Sequence, residues 1–151
     1  MKLEKEYEAE INLEAFSSTD DNEGLKKKIM IERAPGREKI LRIIKDFEGE
    51  IWQTPPLYSA VKIKGKPAYK YARKGQKIDI KAKKIWITNI EVLDYKFPLL
   101  KLKINCGSGT YIRSLARDIG KKLKTGGFLV GLRRTKIGNF SIDKAIKLDM
   151  E

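Results

Sequence analysis

The sequence predicts an α+β fold with a mixed, largely antiparallel sheet flanked by helices and basic loops. Three observations carry that reading. Residues 2–14 alternate, with Leu3, Tyr7, Ala9, Ile11 and Leu13 on one face and Lys2, Glu4, Glu6, Glu8, Glu10 and Glu14 on the other, as a half-buried strand does. Residues 85–97 and 99–106 read as two more strands, parted at Pro98. Two stretches keep helical spacing, one through Ile40, Ile43, Ile44 and Phe47, the other through Ile112, Leu115, Ala116, Ile119 and Leu123. The order is strand, loop, helix, basic loop, two or more strands, helix, strand, an α+β arrangement.

Each element has its own signal. The first strand sets its glutamates on one face of a basic chain, so that face is not expected to meet nucleic acid. Its apolar face carries Tyr7, by pattern an ordinary core aromatic. Ser17 to Gly24 is a run of turn formers with nothing apolar to bury, hence a loop. Pro35-Gly36 opens the first helix, and Gly49 stops it in the left-handed cap conformation.

The next segment, Gly49 to Gly75, is the most basic. Lys62, Lys64, Lys66, Lys70, Arg73 and Lys74 are interleaved with Tyr58, Tyr69 and Tyr71. Cations neutralise phosphates and aromatic faces stack on unpaired bases, so the mixture suits RNA or DNA; the competing reading is a solvated charged face. Pro55, Pro56 and Pro67 stiffen the backbone there, which favours binding. A further basic cluster, Lys81, Lys83 and Lys84, precedes the strand pair.

The strand ending at Cys106 gives way at Gly107 and Gly109 to the second helix, which places Arg113 in its first turn. A cation there opposes the positive end of the helix dipole, at a cost of about 0.3–1 kcal/mol when exposed. Arg113 is therefore either a solvated side chain or, with Thr110 and Tyr111, part of an anion site at the helix start. The Gly-Ser-Gly alone is weak, lacking the remainder of a dinucleotide loop or P-loop. Gly126-Gly127 makes a turn, Phe128 to Ile142 is strand-rich and carries Leu132-Arg133-Arg134-Thr135, and Ser141 with Asp143 is expected to cap a last short helix.

The chain has 151 residues, 33 basic and 20 acidic, a net charge of 33 − 20 = +13. That length suits one compact domain, residues 1–151, with no repeat or linker. The charge calls for a polyanionic partner, first of all nucleic acid. No long apolar span, signal peptide or lipidation motif is present, so no membrane association and a cytoplasmic location are expected. A single cysteine and no histidine leave no intrachain disulfide, zinc site or Ser-His or Cys-His pair to be built, and no metal is expected.

Three separated segments then resemble one family, tRNA pseudouridine synthase B. They are Lys5-Glu6-Tyr7 with Ser17, Thr19, Asp21 and Gly24; Gln53-Thr-Pro-Pro-Leu-Tyr-Ser-Ala-Val-Lys62 through Ala72-Arg73-Lys74-Gly75; and Gly109-Thr-Tyr-Ile-Arg113 followed by Leu132-Arg133-Arg134. The resemblance implies a pseudouridine-synthase-like sheet and isomerisation of a uridine in the tRNA T-arm without a cofactor, the base being extracted from its stack. It also implies roles: Tyr7 stacks on the base, Tyr111 contacts it, Arg113 pairs with a nucleophilic aspartate, and Leu132 packs on the uracil. Lys62, Lys64, Lys66, Lys70, Arg73, Lys74, Arg133 and Arg134 would bind RNA.

The sequence departs from the family in one respect that matters for chemistry. The Gly-x-Leu-Asp-Pro-x-Ala-x-Gly segment that holds the nucleophile in the family does not occur in it. Asp20 and Asp21 align with a different motif, and Asp118 lies across its helix from Arg113. Glu14 stands where the family has glycine, and Ser17 where it has threonine. The expectation is a catalytic domain incomplete at its N-terminus and lacking the C-terminal RNA-binding domain of bacterial relatives. Such a chain would be inactive alone and would depend on a missing segment or a complementary chain. Uncovered apolar surface is then expected at Tyr7, Leu132 and Ile112. The alternative is a non-catalytic tRNA-binding module.

Overall fold

The computed structural model describes residues 4–57, 62–63, 65–75, 80–137 and 140–147. Its centre is a six-stranded sheet in the order β10-β9-β1-β8-β7-β4, with every neighbouring pair antiparallel. In chain order the elements are β1 (Lys5–Asn12), β2 (Ala15–Ser17), β3 (Lys26–Lys28), α1 (Arg37–Lys45), β4 (Gly49–Gln53), β5 (Lys62–Ile63), β6 (Lys66–Pro67), α2 (Ala68–Arg73), β7 (Lys83–Lys96), β8 (Leu99–Cys106), α3 (Ile112–Leu123), β9 (Phe128–Ile137) and β10 (Phe140–Lys147).

Strand β1 runs through the middle of the sheet because its alternation suits a strand paired on both edges. Tyr7 lies opposite Ile104, Ala9 opposite Leu102 and Leu132, and Ile11 opposite Leu100 and Leu129. All of these are buried, and they form the core with Ile40 and Ile44 of α1 and Ile112, Leu115 and Ile119 of α3. On the other face the glutamates of β1 meet lysines across the ladder: Glu8 opposes Lys103 and Glu10 opposes Lys101, while Lys136 lies 3.7 Å from Glu6. That face is a checkerboard of opposite charges, which removes the like-charge repulsion a glutamate row would suffer.

Helix α3 is fixed at its C-terminal end by close backbone approach. A Cβ on Gly120 would come within 2.3 Å of the Gly126 carbonyl oxygen, and one on Gly126 within 2.4 Å of the Ala15 backbone. The Gly126 amide donates to Leu13 O at 2.8 Å, which ties the end of the helix to the exit of β1.

Several expectations change. Ser141 and Asp143 cap no helix; they lie within β10, which pairs through a register shift with the Arg133–Ile137 end of β9. Gly49 does not cap the first helix, which ends at Lys45 with Asp46 in right-handed geometry; Gly49, at φ +96°, opens β4 instead. The basic stretch is not wholly loop, since it contains the β5–β6 hairpin and α2. The turn formers from Ser17 to Gly24 connect a β2–β3 hairpin whose turn is partly buried.

The expected bare apolar patch is also corrected: Tyr7, Leu132 and Ile112 are 1%, 2% and 0% exposed. Tyr7 and Leu132 sit on neighbouring central strands, and Ile112 is pressed into the core by the first turn of α3, so the chain covers these positions itself. Tyr58 and Lys64 lie outside the described residues.

Candidate functional site

Two clusters gather the residues singled out by sequence. The first forms where α3 begins. Tyr111 is the N-cap residue, with extended geometry and no side-chain cap, and a buried side chain from another strand holds it: Gln53 Nε2 donates to Tyr111 O at 2.9 Å, and the Tyr111 amide donates to Gln53 Oε1 at 2.8 Å. Ser114 Oγ and Arg117 Nη2 then both donate to Thr54 O, at 2.7 and 3.0 Å. The first two turns of α3 are thereby latched to the residues that lead into Pro55-Pro56 and the basic segment.

Arg113 is 7% exposed, so it is not a solvated side chain. Its Nη1 lies 3.6 Å from Asp21 Oδ2 and 3.5 Å from Thr19 O. Arg117, one turn on, places Nη1 3.1 Å from Asp20 Oδ2 and Nε 3.1 Å from Asp118 Oδ1. No acidic residue occupies the first turn of α3, and the β2–β3 turn supplies the missing negative charge through space.

The turn is built for that purpose. Asp21 accepts from the Thr19 hydroxyl and from the Glu23 amide, an Asx-type turn that aims its other oxygen at Arg113. A Cβ on Gly24 would reach Ser17 Oγ at 2.4 Å and Thr19 N at 2.6 Å, so this close crossing needs glycine. The Leu129 amide donates to Asp20 O at 2.9 Å, docking the turn on β9. Asp20 adopts φ +63°, and burial pushes its carboxyl above the usual range although Arg117 and Arg113 pull the other way.

The second cluster lies on the sheet. Tyr7 and Leu132 are diagonal neighbours on β1 and β9, and Arg134 covers the tyrosine, its guanidinium 5.6 Å from the ring centroid and Nη2 3.4 Å from the hydroxyl. Arg134 is thus a cover for Tyr7, whereas Arg133 is exposed on the charged face opposite Glu8. In the basic segment Lys66, Lys70, Arg73 and Lys74 are exposed, with Arg73 over the Tyr69 ring at 5.1 Å; Lys62 pairs with Pro67 in the β5–β6 hairpin.

The sequence reading assigned no role to Asp20, Asp21, Gln53 or Arg117, although it named Asp21 and Gln53 in the segments that mark the family and set Asp20 and Asp21 aside as nucleophiles. A signal for three of them was present: the adjacent carboxylates Asp20 and Asp21 in one loop, and Arg117 four residues after Arg113 on one helix, are complementary in charge and spacing. Among the described residues no group of three or more histidine, cysteine, aspartate or glutamate side chains could hold a metal ion. No helix among them is long and apolar enough to cross a membrane.

Comparison with known proteins bears on this geometry. The chain matches the family model described as TruB family pseudouridylate synthase (N terminal domain) over residues 1–112, and that described as tRNA pseudouridylate synthase B C-terminal domain over residues 113–150. It is 45% identical over 152 residues to tRNA pseudouridine synthase B of Clostridium tetani, covering 99% of this chain and 52% of the relative. The same-named protein of Francisella tularensis is 40% identical over 151 residues, with coverage of 99% and 50%. The chain therefore spans about half the length of the curated relatives it matches. Among solved structures, a chain of a Cbf5-Nop10-Gar1 complex superposes with TM-score 0.65 at 31% identity, over 93% of this chain and 32% of that one. A chain of an H/ACA RNP bound to a substrate RNA containing 2'-deoxyuridine gives TM-score 0.61 at 25% identity, over 94% and 31%.

Proposed function

Because the chain belongs to the TruB family of pseudouridylate synthases, we propose that it forms the C-terminal portion of a single catalytic domain that isomerises uridine to pseudouridine in the T-arm of cytoplasmic tRNA. The observation that carries the reading is a guanidinium buried at the start of α3 beside a carboxylate, in a chain whose outer loops are strongly basic.

A guanidinium offers five N–H donors and can serve two carboxylates at once. Arg113, already held by Asp21, is poised to receive the nucleophilic aspartate that the family carries in its Leu-Asp-Pro segment. Tyr7 takes the extruded base when Arg134 leaves its ring for an RNA phosphate, Leu132 packs beside it, and Tyr111 contacts it from the helix start. Lys62, Lys64, Lys66, Lys70, Arg73 and Lys74 hold the RNA backbone, with Arg133. The chemistry so drawn needs no cofactor. A second reading, a tRNA-binding module without turnover, is favoured by one observation: the carboxylate beside Arg113 is Asp21, whose other oxygen is already engaged by the Thr19 hydroxyl and the Glu23 amide.

The test is to incubate the chain with a T-arm stem-loop, with and without a separately made segment bearing that aspartate motif, and to assay pseudouridine by chemical labelling and mass spectrometry. Product only in the mixture, abolished by Arg113→Ala, is the expected result. Salt-sensitive binding without product in either case favours the binding module, and no binding to the stem-loop defeats both readings.

A further inference from the structure

We propose that Trp52 and Trp86, on the solvent face of the β4–β7 edge, form a second RNA contact, a stacking platform for an unpaired strand of the substrate outside the T-arm loop. This rests on the RNA-directed reading above. The platform follows from strand geometry. Gln53 is turned inward to hold Tyr111, so the alternation of β4 sends Trp52 outward, where it is 65% exposed. Trp86, 54% exposed, lies on the same face of β7: Glu50 opposes Trp86 and Trp52 opposes Lys84, which makes the two indoles diagonal neighbours.

A tryptophan is the largest apolar side chain, and two of them left in water side by side forgo burial that nearby core positions would supply. The surroundings select the ligand. Lys84 Nζ lies 5.4 Å from the Trp52 ring centroid and 3.4 Å from Glu50, all three side chains being well exposed, so the cation can exchange Glu50 for a phosphate at little cost. Lys81 and Lys83, both exposed, precede it in the chain. Indole faces beside cations on a protein of net charge +13 match single-stranded nucleic acid, where every base offers a face to stack and each nucleotide a phosphate. An apolar protein partner would gain nothing from the lysines. The platform and the Tyr111 cluster share β4, so an RNA held at the site can reach the platform by passing round the sheet edge.

These are the only tryptophans of the chain, so indole emission reports on this face alone. The experiment is to titrate the full chain with a T-arm stem-loop bearing a single-stranded uridine tail and with the same stem-loop lacking it, following tryptophan fluorescence and, separately, affinity. The expected result is quenching by the tailed RNA and little by the untailed one. Trp52→Ala and Trp86→Ala should each weaken tailed-RNA binding by about fivefold to a hundredfold, with affinity for the untailed stem-loop and the thermal midpoint unchanged. Binding of both RNAs with unmoved emission and unaffected variants would overturn the platform and leave the RNA reading intact. Failure of the chain to bind either RNA would overturn both. Emission that changes with protein concentration, together with a dimer that Trp52→Ala dissolves, would also overturn the platform, because a second copy of the chain would then cover the face.

Discussion

Replacing Gln53 by alanine tests the link between the sheet edge and the start of α3. The side chain is 2% exposed and its amide closes a two-way bridge to the Tyr111 backbone. Tyr111 O keeps a second partner, the Leu115 amide at 3.1 Å, so the variant leaves one orphan, the Tyr111 N–H. Two lost hydrogen bonds at roughly 1 kcal/mol each, with the desolvated donor adding about 1–3 kcal/mol where water cannot reach it, sum to about 3–5 kcal/mol. For a chain of this length that lowers the thermal midpoint by roughly 6–20 °C. Urea unfolding followed by far-ultraviolet circular dichroism measures the loss, and hydrogen exchange at the Tyr111 amide shows whether it originates there. Gln53→Glu keeps the acceptor but sets a carboxylate against Tyr111 O, so it should be at least as damaging at neutral pH and partly rescued in acid. A loss below about 0.5 kcal/mol with unchanged exchange at Tyr111 would show that the bridge does not hold the helix start.

Two further outcomes are expected. Burial holds the Asp20 carboxyl above its ordinary range, so the folded state binds this proton more tightly than the unfolded chain does; the group favours folding in acid, and the advantage is lost as pH rises from the ordinary carboxylate range through the raised folded value. Asp20→Asn, uncharged and at ease at φ +63°, should therefore melt above the unaltered protein at pH 7 and lose its lead in acid; an equal or lower midpoint at pH 7 in paired thermal melts would contradict the sign. Gly120→Ala would ordinarily strengthen a helix by about 1 kcal/mol, but here the new methyl meets the Gly126–Gly127 backbone at 2.3–2.7 Å. Calorimetry should show net destabilisation by about 1–3 kcal/mol, and a stabilised variant would mean that the helix end can move away.

The strands around β1 and both large helices were legible because burial on one face imposes a period on the sequence, and Tyr7, Ala9, Ile11, Leu100, Leu102 and Ile104 all obey it. Arg113 was legible as an anomaly, since a cation at a helix start is unfavourable unless something answers it. β4 and β10 were not. β4 shows only five residues, with Trp52 outward and Gln53 inward, the reverse of what hydrophobicity suggests. β10 breaks its own alternation at a register shift. In the turn, polar residues read as solvent-exposed because nothing local reveals that Asp20 and Asp21 will be covered by another part of the chain.

What the sequence determined by itself is local and periodic: which residues face a core, where glycine and proline interrupt them, the basic charge that asks for a polyanion, and the motifs that mark the family. Tertiary structure alone decided which partners answer which charges. Asp21 meets Arg113 and Gln53 meets Tyr111 only because the antiparallel sheet carries β4 and the β2–β3 turn to the same end of α3. An ion pair or an amide bridge depends on distances of a few ångströms between segments far apart in the chain, and no periodicity along the chain encodes those distances.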